Sequence, residues 1–306
     1  MAIADVDRAA LALLDTRLNT LLPEEYQGAD TEPTPMGSAG LRFDADGRVA
    51  WDEMWESFCD LAMAGGPPHK GRLLQPGTRV EIDATPERYT EVVQEICRGL
   101  ELAADPQAAA APEPGWVRVR CFTDAMADWL LRAITMENVA VRGSTRTIEL
   151  PAGPNYRVEK EIKNVITVTA KTCHYWVGHI PRAQQNQIAR LFGTIGEETP
   201  LIGPSDTDAT ASDAYAPLAT AILQRTGLRT MGRHYTGWLG IEIPDVRAAI
   251  WMMRALVVSN VLARREDTVL YVPVHPSDDP GGEQVAARLT RVWQLARARN
   301  LLSQFS

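Results

Sequence analysis

The sequence predicts an α+β protein with an internal duplication, on the strength of three observations. Stretches with helical and with strand periodicity alternate along the 306 residues. A helix-to-strand segment at 129–151 returns at 251–273, with the same residue at seven positions a constant distance apart. This repeat is far longer than a solenoid repeat, which indicates a duplicated domain rather than an array.

The N-terminal part is predicted to be helical. Leucines at helical spacing predict a helix that ends at Pro23, and tryptophans and other apolar residues predict an amphipathic helix over 51–64. A loop rich in glycine and proline follows at 65–72. A short strand is then predicted over 79–83, and Pro86, preceded by a threonine cap, begins a helix to about residue 103.

The repeated part is predicted to continue as strands and helices in both halves. The predicted strands lie at 116–122, 139–141, 146–150 and 239–243, and the predicted helices start at Thr123 and lie near 215–225 and 246–259. This order suits an open antiparallel or mixed sheet with helices on one face. It resembles a ferredoxin-like α/β sandwich, present as two units about a pseudo-twofold axis.

The predicted domain division follows the repeat. An N-terminal helical segment with its Gly/Pro loop takes residues 1–78, and the first repeat takes 79–202 with an insertion at 152–180. The second repeat takes 203–306. Arginines that recur at matched positions are interpreted as structural, covering the tryptophans that recur with them.

Composition excludes several classes of protein. A hydrophobic content of 45% is enough for a full core, and no segment has the pattern of a signal peptide or a membrane span. A formal net charge of -8 argues against nucleic acid as a partner. Four cysteines, far apart and without a CxxC pair, predict reduced thiols and a cytoplasmic location.

The insertion at 152–180 is the leading candidate for a functional site. It holds three of the four lysines, and Lys171, Lys163 and His174 are the candidate catalytic residues. Its β-branched run from Val165 to Thr172 predicts a strand, on which alternation would place Lys171, Cys173 and Tyr175 on one face. Cys173 and Tyr175 are therefore candidate substrate contacts, with an ordinary core role as the alternative.

No metal ligand set is expected in that segment. An extended chain would separate Cys173 from His179 by about 20 Å, too far for one ion.

Two loops supply the remaining candidates. In the Gly/Pro loop, His69 is a candidate proton carrier and Lys70 and Arg72 are candidate anion-binding residues. A second loop, bounded by glycines, places His234 as a candidate catalytic residue and Tyr235 as a candidate substrate contact. An exposed turn without function is the alternative for both.

These observations favour a cytoplasmic enzyme that acts on a small anionic metabolite in a cleft between the two halves. Lysine and histidine would supply acid–base chemistry of a lyase or transferase type. Motifs for nucleotide, zinc-protease and Ca²⁺ chemistry do not occur, and no cofactor is indicated. The alternative is a non-catalytic ligand-binding or assembly protein that forms a homodimer, with Trp51 and Trp55 in its contact surface.

Overall fold

The computed structural model describes residues 5–22, 40–53, 71–104, 108–206, 208–231 and 235–302. They form a mixed α+β structure with two small antiparallel sheets. The chain divides into two compact units, here named the central unit, residues 33–189, and the terminal unit, residues 1–32 together with 190–306. The domain boundaries predicted at residues 78 and 202 stay predictions. None of the described helices is long and apolar enough to cross a membrane.

The sheet of the central unit has four strands. These are β1 (Ala108–Ala110), β2 (Trp116–Arg120), β3 (Arg142–Ser144) and β4 (Thr147–Pro151). They are antiparallel in the order β1-β2-β4-β3, with Trp116 opposite Pro151. Val117 and Val119 are buried while Arg118 between them is exposed, so one face of β2 packs on the core. The strands predicted at 116–122 and 146–150 are thus confirmed.

The strand predicted at 139–141 is displaced to β3. Asn138 adopts a left-handed backbone with φ 59°, which ends the preceding helix. Val139 then forms an isolated parallel bridge with Leu74 instead of joining β4. The sheet pairing therefore begins only at Arg142.

Helices of the central unit cover the sheet and one another. They are α2 (Arg79–Ala84), α3 (Pro86–Ala104), α4 (Asp124–Met136) and α5 (Lys163–His174), with π-helical turns π1 (Val158–Ile162) and π2 (Tyr175–His179) on either side of α5. As predicted, the Thr123 hydroxyl accepts a hydrogen bond from the Met126 N–H and caps α4. Helix α5 packs against both α3 and α4. Gly99 of α3 allows the close approach of Ile166, which any Cβ at that position would meet at 2.1 Å.

The strand predicted over 79–83 is wrong, because these residues form α2. The Thr78 side chain accepts from the Glu81 N–H at 3.3 Å, and the Glu81 carboxylate accepts from the Thr78 N–H at 2.8 Å. This reciprocal capping box supplies partners for two backbone donors that would otherwise have none. Local capping therefore outweighs the short apolar alternation.

The strand predicted from Val165 to Thr172 is also wrong, because the run lies within α5. All residues from Asn164 to Cys173 are buried, so tertiary packing decides their conformation rather than β-propensity. The Thr167 hydroxyl donates to the Lys163 carbonyl at 2.7 Å and the Thr172 hydroxyl to the Val168 carbonyl at 2.9 Å. Bonds of this i to i−4 kind satisfy buried threonine hydroxyls only in a helix.

In its described residues, the terminal unit combines a three-stranded sheet with five α-helical segments and a 3-10 turn at Pro280–Gly282. Its elements are α1 (Asp5–Leu21), the second part of α6 (Arg182–Glu198), α7 (Asp208–Thr226), β5 (Trp238–Glu242), α8 (Val246–Val257), β6 (Arg264–Glu266), β7 (Val269–Pro273) and α9 (Glu283–Ala298). The strands are antiparallel in the order β5-β7-β6. Helix α1, which confirms the predicted N-terminal helix, pairs with α9 through Asp7 with Arg291 and Asp15 with Arg299.

The two sheets have matching elements at a constant spacing. Helix α7, strand β5, helix α8 and strands β6 and β7 each begin 122 residues after α3, β2, α4, β3 and β4. Asn260 repeats the left-handed φ of 59° at Asn138, and Val261 forms a parallel bridge with Ile202 as Val139 does with Leu74. The order in the terminal unit from α7 is α-β-α-β-β-α, ending in α9. The central unit has the same order from α3 to α5, with β1 added between α3 and β2.

The predicted ferredoxin-like sandwich is not shown. That architecture needs a β-α-β-β-α-β order. Within the described residues, no strand follows α5 in the central unit or α9 in the terminal unit.

Of the helix predicted over 51–64, residues 51–53 are helical and the others lie outside the described residues.

Candidate functional site

The segment predicted as an insertion, 152–180, folds as π1, α5 and π2. Both β4 and β7 lead into a helix, so α5 follows its strand as α9 follows β7. What distinguishes the segment is therefore its side chains and its π-helical turns rather than an additional element. Single π-helical turns occur often at functional sites.

Lys171 is held in an ion pair inside the central unit. Its ammonium lies 2.6 Å from Glu137 Oε1, and the two side chains are 5% and 16% exposed. Glu137 directly follows α4, and its Oε2 has no hydrogen-bond partner among the described residues. Because the ammonium is already bound to a carboxylate and shielded from solvent, Lys171 is better placed to organise charge than to attack a substrate.

Lys163 lies at the other end of α5. It is half-buried, and burial lowers the pKa of its ammonium. Eleven residues separate it from His174, which amounts to about 16 Å along an α-helix. The structure therefore does not bring Lys163 and His174 together.

His174 and His179 form the most distinctive contact of the segment. Their Nε2 atoms are 3.0 Å apart, and their ring centroids are 4.8 Å apart at an interplanar angle of 63°. The Tyr175 ring lies edge-on to His179 with centroids 5.8 Å apart. Burial, and then the neighbouring His179, lower the pKa of His174. His174 is therefore biased towards the neutral imidazole.

The π-helical turn explains why the two imidazoles meet. On an α-helix, residues five apart point about 140° away from each other. In π2 the Ile180 N–H donates to the Tyr175 carbonyl at 2.9 Å, an i to i−5 bond that widens the turn. The extended chain assumed for Cys173 to His179 is thus wrong, and with it the basis for expecting no shared ligand site.

Cys173 and Tyr175 are core residues of the central unit. Cys173 is 3% exposed, and burial, followed by the nearby Cys121, raises the pKa of its thiol to about 12. A thiol of that pKa is almost entirely protonated at neutral pH and is a poor nucleophile. Tyr175 is 8% exposed and packs against His179. On the helix Cys173 and Lys171 no longer share the face that a strand would give them.

Asn164 adds buried polarity to the same helix. It is 3% exposed, and neither Oδ1 nor Nδ2 has a hydrogen-bond partner among the described residues. Seven residues separate it from Lys171, so the two lie on one face of α5. A buried amide without partners is unusual in a folded protein and marks this face for attention.

Tyr235 belongs to a separate cluster in the terminal unit. Burial, and then its hydrogen bond to Glu266, raise the pKa of Tyr235 to about 12. Its ring lies over Arg264, which is fully buried and donates to Glu266 at 2.8 Å. Tyr271 and Trp238 also stack on this guanidinium, at 3.9 and 5.2 Å. The cluster is closed around its own arginine, which favours a structural role.

The structure places none of the other predicted residues that it describes at the His174/His179 pair or in the Arg264 cluster. Arg72 is exposed on the surface. His69, Lys70 and His234 lie outside the described residues, so their assignment stays a prediction. Trp51 is 1% exposed and donates to Glu95, which removes it from the predicted contact surface; Trp55 lies outside the described residues.

Sequence reasoning missed Glu137 and the pairing of His179 with His174. Glu137 carries no local signal, since only the packing of α4 against α5 brings it to Lys171. A spacing of five residues between histidines indicates proximity only if a π-helical turn is expected. No sequence pattern used above predicts such a turn.

Comparison of the chain with protein-family models, with curated proteins and with solved structures found no match. Among the described residues, no group of three or more histidine, cysteine, aspartate or glutamate side chains is arranged to hold a metal ion.

Proposed function

We propose that this protein is an enzyme that acts on a small anionic metabolite and that its reactive centre lies at the C-terminal end of α5 and in π2. One observation carries the proposal, which is the contact between the His174 and His179 imidazoles at 3.0 Å. Two histidines in hydrogen-bond contact form a pair that exchanges a proton near neutral pH.

The lowered pKa of His174 supports its role as the base of the pair. A neutral imidazole accepts a proton from a substrate, and a partner imidazole at hydrogen-bond distance fixes its orientation. His174 is half-buried, and its neighbours Val177 and Gly178 are exposed, which leaves the pair within reach of a small molecule. His179 is then the positioning residue for His174.

One cation of the same segment supports the choice of an anionic substrate. Lys171 lies one turn before His174, whereas Lys163 and Lys160 lie at the start of α5, about 16 Å or more from His174, and are outside the reactive centre. Lys171 and Glu137 serve as a fixed charge pair beside the reactive centre, while Lys163 is the more accessible amine. A lyase or transferase reaction, in a cytoplasmic location, fits acid–base chemistry without a nucleotide motif and with free thiols at Cys97, Cys121 and Cys173.

The proposal is tested with the full chain and a panel of small carboxylates, oxo acids and sugar phosphates. The expected result is that at least one compound raises the melting temperature and is converted, as followed by NMR. His174→Gln and His179→Gln should lower kcat at least tenfold, since a positioned general base contributes about a hundredfold or more. His275→Gln, in the terminal unit, is the matched control and should leave kcat unchanged. Conversion of the compound by both the His174→Gln and the His179→Gln variants at the wild-type rate would contradict the proposal.

We propose further that the matched elements of the two units arose by duplication. The constant spacing of 122 residues, the equal backbone of Asn138 and Asn260, and the opposed pairs Trp116 with Pro151 and Trp238 with Pro273 support it. Composition alone seldom places tryptophan and proline in register twice. The catalytic pair is then a later specialisation of one copy.

A further inference from the structure

The contact between His174 and His179 has the dimensions of a chelating site. A nitrogen ligand lies about 2.1 Å from a bound zinc ion, so two nitrogens 3.0 Å apart would subtend an angle of about 90° at the ion. A separation of about 3.4 Å would give the tetrahedral angle, a change of about 0.4 Å. The observed spacing therefore matches a cis pair of ligands or requires a small opening of the pair.

The orientation of the rings agrees with this distance. Two imidazoles aimed at one ion with that angle would have centroids about 4.6 Å apart, whereas rings meeting head-on through a linear hydrogen bond would have them about 5.3 Å apart. The observed centroid distance is 4.8 Å. The rings thus converge in the way that a shared ion requires.

The site is open to an ion from solvent. Gly178 lies against His174, and a Cβ built on it would stand 3.5 Å from Cε1 and 3.8 Å from Nε2. Gly178 itself therefore places no side chain over that side of the imidazole. Both histidines are half-buried, and the neighbouring Val177 is 63% exposed.

From this geometry we propose that His174 and His179 bind a divalent transition-metal ion of the zinc, nickel or copper class. Neutral imidazole nitrogen is a preferred ligand of these ions, and each ring would carry its proton on Nδ1. No third ligand side chain is present among the described residues, so water or an anion completes the coordination. In an α-helix a chelating pair would be residues i and i+4. The π-helical turn π2 instead brings residues i and i+5, His174 and His179, to one ion.

The inference deepens the proposed function and rests on it only for the role of the open positions. With the ion bound, the Nε2 atoms of His174 and His179 are both ligands, so water on the ion replaces His174 as the base. An ion with two protein ligands keeps positions at which the carboxylate or phosphate of a metabolite binds, and water bound beside it becomes a base. Ion binding by the free protein needs no substrate, so the two proposals fail separately.

The test is titration of the tag-free full chain with Zn²⁺ by calorimetry at pH 7.5, with Cu²⁺ electron paramagnetic resonance to count nitrogen ligands. One ion per chain and two imidazole nitrogens are expected. His174→Ala and His179→Ala should each weaken Zn²⁺ binding at least tenfold, and His275→Ala should leave it unchanged. Zn²⁺ should also raise the melting temperature of the wild type but not that of the His174→Ala and His179→Ala variants.

A third variant, Gly178→Val, keeps the proposal testable if one of the histidine variants folds poorly. It leaves both ligands in place and covers His174 with a branched side chain. It should weaken Zn²⁺ binding while circular dichroism stays unchanged. The inference is overturned if the wild type binds no Zn²⁺ below 100 times the protein concentration, roughly the excess that yields a measurable stabilisation, or if the His174 and His179 variants bind like the wild type. Zn²⁺ binding without any response to the metabolite panel would contradict the proposed function alone.

Discussion

The central and terminal units neutralise their matched arginines, Arg142 and Arg264, with different partners. Arg142 of β3 lies 4.3 Å over the Trp116 ring and forms ion pairs with Glu149 and Glu113, both at 2.7 Å. Arg264, at the matched position in β6, has Tyr271 and Tyr235 where Arg142 has those two glutamates. Trp238 takes the place of Trp116. Arg142 and Arg264 therefore cover the tryptophans of β2 and β5. For the other repeated pair, Arg132 and Arg254, the predicted cover of the tryptophans in α4 and α8 stays a prediction.

The difference follows from burial. The Arg142 side chain is 24% exposed, so two carboxylates can stay partly hydrated while they neutralise it. Arg264 is fully buried, and aromatic faces supply attraction without a second desolvated charge, leaving Glu266 as its carboxylate partner. Burial lowers the pKa of Arg264, whereas bonds to Glu113 and Glu149 outweigh burial and raise the pKa of Arg142. The same position in the two units thus holds a half-buried arginine paired with carboxylates and a fully buried one surrounded by aromatic rings.

The largest expected effect concerns Lys171, a buried cation of the central unit whose ammonium lies 2.6 Å from the Glu137 carboxylate. Lys171→Met leaves Glu137 buried and uncompensated, which should lower the free energy of unfolding by about 3 kcal/mol. Urea denaturation measures it. The double variant Lys171→Met/Glu137→Leu should recover most of the loss, and a double variant no more stable than the single one would contradict the ion-pair interpretation.

Removal of one ring from the Arg264 cluster should have the next largest effect. Tyr271→Leu keeps an apolar side chain but removes the face that lies 3.9 Å from the guanidinium. A desolvated cation–π contact is worth about 2 kcal/mol, and the free energy of unfolding should fall by that amount. At the matched position, Glu149→Gln should cost about 1 kcal/mol, because Arg142 keeps Glu113. If Tyr271→Leu and Glu149→Gln lowered the free energy of unfolding equally, the aromatic ring would contribute no more to stability than the carboxylate at the matched position.

The shared backbone offers a smaller and symmetric effect. Asn138 and Asn260 both have φ 59°, a region that alanine enters only at a cost. The Asn→Ala variant at each site should be about 1 kcal/mol less stable than the Asn→Gly variant, since both lose the side-chain amide and only alanine is strained. Thermal unfolding compares the four proteins. A difference at one site alone would mean that the two copies do not share this helix ending.

The smallest expected effect is a divergence in pH dependence. Burial raises the pKa of Glu149, but bonds to Arg118 and Arg142 outweigh it and the pKa is lowered. A lowered pKa in the folded state gives stability that is present above the unfolded pKa and lost as pH falls through the folded value. Acidification below about pH 4.5 should therefore weaken the wild type more than Glu149→Gln.

The tyrosine cluster predicts the opposite dependence. The pKa of Tyr235 is raised from 10.0 to about 12, so its contribution is complete below pH 10 and is lost as pH rises towards 12. Spectrophotometric titration of Tyr235→Phe should lack one late-ionising phenol and show a weaker alkaline loss of stability. An unchanged titration curve would contradict the assignment.

The predicted site shows where sequence-based reasoning succeeds and where it stops. Three of the four lysines lie in the predicted site segment, which also holds His174. Lys171 and His174 both lie on α5, one turn apart. The pairing of alternate residues on a strand was wrong, so Cys173 was grouped with Lys171 without a physical basis. The partners that define the chemistry, Glu137 and His179, depend on packing and on a π-helical turn.

The sequence by itself determined the elements whose signals are local. These are the helices capped by Thr123 and begun at Pro86, and the repeat that matches Trp129 with Trp251. Such signals act within one turn or along one register, where a few hydrogen bonds decide the outcome. Tertiary structure alone decided that Val165 to Thr172 is a helix and which side chains compensate Arg264. Burial sets both, because the cost of placing a hydroxyl or a charge away from water depends on neighbours distant in the chain.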